Sequence, residues 1–254
     1  MITIISPAKT LDFTTQSQIK EYSQPQFLDK AEILIRELRK LKPKDIIKLM
    51  SVNEEIANLN FERFLSWKLP FNEKNAKQAL LAFKGQVFIG LEAQSLSQDD
   101  LLFSQNHLRI LSGLYGVLRP LDLIQAYRLE MGIKLKNPAG KNLYEFWGNK
   151  ITENINKELL AQKNKVLINL ASNEYYKVIN PKMIQGNIIT PVFKELKGNE
   201  FKVVTIYAKT ARGYMSRFII QNRIENPEDI KAFDTGGYLY NRDLSNNKEW
   251  VFTR

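Results

Sequence analysis

Residues 108–134, LRILSGLYGVLRPLDLIQAYRLEMGIK, decide how the chain is read. An apolar stretch with the look of a helix runs into Gly113-Leu114-Tyr115-Gly116, turns, and restarts through Arg119-Pro120. Two glycines three positions apart between helical patterns predict a tight helix–hairpin–helix turn, because glycine accepts positive φ without steric cost. Such a turn leaves backbone N–H groups pointing outward. With Arg119 and Arg128 nearby it would hold a phosphate backbone. The alternative is a helical corner packed inside the core, and on these residues alone both readings stay open. Pro120 restricts Arg119 away from helix, which makes the turn longer or the second helix later.

Outward from this stretch the pattern alternates. Met1 to Ile5 reads as a short apolar strand ended by Ser6-Pro7. Helices are predicted over residues 26–41, 44–50, 53–65 and 72–83, followed by a buried strand over 86–89. Ser97-Gln98-Asp99-Asp100 is a capping box that opens a helix carrying Leu101, Leu108 and Leu111 toward the glycines. A helix over 152–162 and a strand over 166–170 come next, with Ser172 as a helix cap. Residues 188–208 read as a β-hairpin turning at Lys197-Gly198-Asn199, and a helix is predicted over 212–223. Two short strands lie near Tyr238 and Trp250. The fold class expected is α/β (α+β): a single domain over residues 1–254, with a mixed sheet surrounded by helices. The strand order is not legible at this stage.

Composition narrows the chemistry. The 254 residues are 44% hydrophobic, enough for a sizeable core. The formal net charge of +10 points toward a polyanionic partner. There are no cysteines, so disulfides and thiolate metal sites are excluded. His107 is the only histidine, which argues against His-based metal centres and Ser-His-Asp triads. The N-terminus does not read as a signal peptide, and no apolar run reaches the roughly 20 residues of a membrane span. No Walker motif, dinucleotide fingerprint or EF-hand spacing occurs, so no cofactor is expected.

Three segments present polar groups where a strand is predicted to end. Lys209-Thr210-Ala211-Arg212-Gly213 is read as a strand-to-helix turn with two cations at the helix N-terminus. That end is already positive, so the arrangement works against local stability and suggests a bound anion. Arg217 follows on the same helix. Lys9 is presented just past the first strand. Asn169 stands at the end of the strand over 166–170 and Ser172 and Glu174 come just after it, although Ser172 and Glu174 also suit an ordinary helix start. If these strands run parallel, Lys9, Asn169, Ser172, Glu174, Lys209 and Arg212 share a pocket at one rim of the sheet. Tyr144-Glu145-Phe146-Trp147 lies near Lys141 and Lys150 and is read as core ahead of base stacking. Asp99-Asp100 is read as capping, not as a metal site.

Five blocks in this order resemble the YaaA peroxide stress-resistance family of bacteria. They are residues 5–13, ISPAKTLDF; 111–122, LSGLYGVLRPLD; 127–132, YRLEMG; 169–175, NLASNEY; and 207–220, YAKTARGYMSRFII. The similarity spans nearly the whole chain. It implies a cytoplasmic protein of the peroxide response, associated with limiting damage from free intracellular iron. It also implies DNA binding through a basic cleft and a helix–hairpin–helix element, within an α/β domain of unusual topology. Carried onto this chain, the hairpin is Gly113, Leu114, Tyr115 and Gly116, with Arg119 beside it.

The leading expectation is largely sequence-independent binding of double-stranded DNA, with Lys9, Arg119, Arg128, Lys209, Arg212 and Arg217 on phosphates and the hairpin amides adding hydrogen bonds. No membrane partner and no direct iron site are expected, so an effect on iron would be indirect. The other expectation is an enzyme acting on a nucleotide or nucleobase. Its pocket would hold Lys9, Asn169, Ser172 and Glu174, with Glu174 as acid or base. An enclosed pocket around Lys9 and Glu174 favours the enzyme; an open basic groove favours the DNA binder.

Overall fold

Ile2-Thr3-Ile4-Ile5 is rich in β-branched residues and forms strand β1 (Ile2–Ile5), buried along its whole length. That pattern suits a central strand covered on both faces. The computed structural model describes residues 1–15 and 19–254. After β1 come β2 (Thr10–Leu11), α1 (Leu28–Leu38), α2 (Pro43–Met50), α3 (Glu54–Ser66), β3 (Lys77–Gln78), α4 (Ala79–Ala82), β4 (Phe83–Lys84), α5 (Gln86–Leu91) and α6 (Gln98–His107). Then follow β5 (Leu108–Ser112), β6 (Gly116–Leu118), β7 (Leu123–Ile124), α7 (Leu143–Trp147), α8 (Lys150–Leu160), β8 (Val166–Leu170) and α9 (Asn173–Tyr176). The chain finishes through β9 (Asn187–Lys197), β10 (Glu200–Lys202), α10 (Thr205–Gln221), β11 (Leu239–Tyr240) and β12 (Glu249–Thr253).

The helix starts are locally encoded. Pro43 opens α2, where its missing N–H costs nothing. Asn53 Oδ1 accepts the Ile56 N–H at 2.9 Å at the head of α3. Ser97 and Asp100 exchange reciprocal bonds at 3.1 Å, the capping box expected for α6.

The main sheet runs β11-β12-β9-β8-β1-β5-β6, with β10 added beside β9. Strands β12, β9, β8, β1 and β5 are parallel to their neighbours in this row, while β11 and β6 are antiparallel at the edges. The sheet is therefore mixed, within an α/β fold. Taken in chain order, the parallel strands lie as second, first, third, fourth, fifth, an order in which ligands bind where the direction of winding reverses. That reversal falls between β1 and β8, at their carboxyl ends. Among the described residues, no helix is long and apolar enough to cross a membrane.

The structure corrects the reading of 108–134. Leu108–Ser112 is not a helix but strand β5, parallel to β1 with Ile5 opposite Ile110. Gly116–Leu118 is strand β6, antiparallel to β5. The glycines thus make a β-hairpin turn, and the expected helix–hairpin–helix is absent from this stretch. A short apolar run cannot tell strand from helix by periodicity, and the open edge of β1 decides here. Gly116 does take positive φ, at +72°, and its lack of a side chain admits the Trp147 ring. Leu114 and Tyr115 are fully buried.

Three other expectations fail for similar reasons. Residues 86–89 belong to helix α5, not a strand. Residues 72–83 hold the short elements β3 and α4 in place of one long helix. The second strand of the 188–208 hairpin stops at Lys202, and α10 begins at Thr205.

Candidate functional site

Ser6 and Ser172 stand just past the adjacent parallel strands β1 and β8. The Ser172 N–H donates to Ser6 Oγ at 2.8 Å, and Ser6 Oγ donates to Ser172 Oγ at 3.2 Å. Ser172 does occupy the N-cap position of α9, but its hydroxyl makes no cap bond. The pair instead ties the two strand ends together. The loop after β1 is held from its other side by β2 pairing with β4, Thr10 opposite Lys84. A Cβ at Gly85 would lie 2.9 Å from the Ala8 Cβ, so these two segments are in close contact.

Helix α10 closes the site. It crosses α5 through a pair of glycines: a Cβ on Gly90 would meet the Thr210 carbonyl at 2.3 Å, and one on Gly213 would meet the Val87 carbonyl at 2.0 Å. This close approach brings Lys209 and Arg212, one helical turn apart on one face, over the end of β1. The result is a cavity of about 270 Å³ whose walls include Lys9, Lys84, Val87, Phe88, Glu130, Ser172, Glu174, Tyr175, Lys209 and Arg212.

Its walls carry four cations and two carboxylates. Glu130 is engaged on one oxygen: Oε1 accepts from Arg128 at 3.0 Å and lies 3.2 Å from Lys9 Nζ. Glu174 Oε1 accepts the Gly132 N–H at 3.0 Å, which fixes that carboxylate at the cavity mouth. Lys84, Lys209 and Arg212 have no hydrogen-bond or ion-pair partner among the described residues. Burial lowers the pKa of the Arg212 guanidinium, so its charge is partly desolvated and uncompensated. Burial also pushes the Tyr175 phenol well above its ordinary value, keeping it protonated at neutral pH.

Of the residues singled out from sequence, Lys9, Ser172, Glu174, Lys209 and Arg212 come together here. Asn169 does not: it is buried, accepting from the Ala171 N–H and donating to Thr190 Oγ1. Lys209 and Arg212 lie inside α10 and not at its start, so their convergence owes nothing to the helix N-terminus. Arg119 is paired with the buried Asp122 at 3.0 Å and donates to the Gln24 carbonyl. Arg128 is held by Glu130. Arg217 donates to the Leu91 and Glu92 carbonyls at the end of α5, a favourable place for a cation. Gly113, Leu114, Tyr115 and Gly116 are buried, so their amides present no surface to a phosphate backbone. Trp147 and Phe146 are core, with Trp147 Nε1 donating to the Gly113 carbonyl at 3.0 Å. Sequence reasoning missed Glu130 and Lys84 as cavity residues. Glu130 stands in the 127–132 block with no local sign of a cavity, and Lys84 arrives through a two-residue strand pairing that has no local signature.

Comparison with known proteins places the chain. The family described as peroxide stress protein YaaA matches residues 1–244. The chain is 53% identical over 254 residues to a UPF0246 protein of Cellvibrio japonicus (strain Ueda107), covering 100% of this chain and 98% of that protein. It is 54% identical over 254 residues to a UPF0246 protein of Hahella chejuensis (strain KCTC 2396), covering 100% of this chain and 99% of that one. Matched by that family over residues 1–244 and by these relatives over its whole length, the chain belongs to the YaaA family of peroxide stress proteins.

Proposed function

We propose that this protein serves the peroxide stress response by binding a phosphate-bearing small molecule of nucleotide size in the cavity between the ends of β1 and β8. The observation that carries the reading is Arg212, a partly desolvated guanidinium without a protein acceptor among the described residues, facing a cavity shared with Lys84 and Lys209. An uncompensated cation is costly to bury, and a bound phosphate would offset that cost through charge-assisted hydrogen bonds. The position supports the same reading, since doubly wound sheets bind ligands at this reversal. Glu174 on the same wall supplies a candidate acid or base, which favours an enzyme acting on a nucleotide. Titration of the full chain with AMP and with inorganic phosphate tests this. Arg212→Met is expected to weaken both by about 10- to 100-fold, the worth of one charged hydrogen bond. Lys157→Met, on the exposed face of α8, should leave both unchanged. Equal binding by Arg212→Met and the unaltered protein would overturn the reading.

A second reading, sequence-independent contact with duplex DNA, is favoured by the net charge of +10. In that reading Lys9, Lys84, Lys209 and Arg212 meet phosphates at the cavity mouth, without the buried hairpin. A cytoplasmic location belongs to both readings. Any limit on damage from intracellular iron is indirect in both, because the chain has no cysteine and a single histidine to offer as strong iron ligands.

A further inference from the structure

A second concave surface shares no lining residue with this cavity. It lies where the corner between α1 and α2 meets residues 134–138, a groove of about 770 Å³ with Leu41, Leu49 and Leu135 among its apolar walls. Lys48, Lys134 and Lys136 also line it, exposed and with no hydrogen-bond or ion-pair partner for their ammonium groups among the described residues. Both acids on the walls are already engaged. Glu37 is paired with Lys40 at 2.7 Å, and Asp45 accepts the Lys42 N–H at 3.0 Å. The groove thus combines apolar surface with uncompensated positive charge.

Its backbone is unpaired as well. Residues 134–137 run exposed, buried, exposed, buried, the period of a β-strand. No strand pairs with residues 134–136, and the backbone N–H groups of Lys134, Leu135 and Lys136 have no hydrogen-bond partner among the described residues. We infer that this groove binds an acidic peptide by strand addition beside residues 134–136. The unpaired edge supplies main-chain hydrogen bonds, and alternate side chains supply selectivity. Side chains directly opposite one another in paired strands share a face. A peptide alternating acidic and apolar residues therefore sets its acids against Lys134 and Lys136 and its apolar side chains on the face of Leu135. The apolar walls and the unpaired backbone favour a peptide over a nucleic acid, which would use the lysines alone. The inference is independent of the nucleotide reading.

The test is fluorescence anisotropy of labelled peptides titrated with the full chain. One peptide alternates glutamate with leucine, a second glutamate with serine, a third lysine with leucine, and a fourth is the first methylated on its backbone nitrogens. The glutamate–leucine peptide is expected to bind. The others should bind at least about ten-fold more weakly, having lost apolar burial, charge attraction or main-chain hydrogen bonds in turn. Lys134→Glu combined with Lys136→Glu should weaken the glutamate–leucine peptide about ten-fold and leave AMP binding unchanged. Arg212→Met should leave the peptide unchanged. Both lysines are exposed and unpartnered, so the double variant should unfold at the temperature of the unaltered protein. No binding of the glutamate–leucine peptide, equal binding of any of the other three, equal binding by the double variant, or loss of binding in Arg212→Met would overturn the inference.

Discussion

Gly116 has φ +72°, and a Cβ there would lie 2.8 Å from the Trp147 ring. Two separate penalties therefore meet at one residue, left-handed backbone and overpacking against a fully buried indole. Gly116→Ala is expected to lower the unfolding free energy by about 3 kcal/mol in urea titration. Gly198→Ala provides the contrast. Its φ is similar at +62°, but nothing lies within 4 Å of the added carbon, so only the backbone penalty of about 1 kcal/mol should appear. Equal losses at the two positions would show that Trp147 does not constrain the turn. Glycine at 116 was legible as a turn residue from sequence. Which turn it makes was not, because a glycine pair serves helical and β-hairpins alike.

The crossing of α5 and α10 is the element on which the site depends. Both helices use glycine where they touch, and the atoms opposite are backbone carbonyls, which cannot move aside as a side chain would. Gly213→Ala should lower stability by about 1–3 kcal/mol and also weaken AMP binding, since Arg212 adjoins the forced shift. A urea midpoint together with an AMP titration reads both effects. Loss of stability with unchanged affinity would mean that the position of α10 does not set the site. Gln86–Leu91 was misread from sequence, and α10 was read only in its second part, from 212 onward. Gln86–Leu91 looks like a buried strand because it is short and apolar, and α10 starts seven residues before the predicted helix at 212. Residues 201–208 are rich in β-branched and aromatic types, and local propensity yields there to packing against α5.

At the scale of the molecule, a net charge of +10 acts at a distance where single contacts do not. If duplex DNA is bound through Lys9, Lys84, Lys209 and Arg212, about four phosphates are neutralised. Affinity should then fall about 100-fold between about 50 and about 200 mM salt. A salt-independent affinity in filter binding would remove the DNA reading. Nucleotide binding inside the cavity should be less sensitive, because buried charges are screened less. The sequence by itself determined the strands β1 and β8, the helix starts near Lys44, at Asn53 and at Ser97, and the family, and it offered the grouping of Lys9, Asn169, Ser172, Glu174, Lys209 and Arg212 only on the condition that the strands run parallel. These follow from nearest-neighbour chemistry and from where strands end. Only the tertiary structure decided that Leu108–Ser112 is a strand, that Gly113 to Gly116 is interior, that Arg119, Arg128 and Arg217 are already partnered, and that Glu130 and Lys84 join the cavity. Each of those depends on what stands opposite a residue from a distant part of the chain, and spacing along the sequence does not encode that.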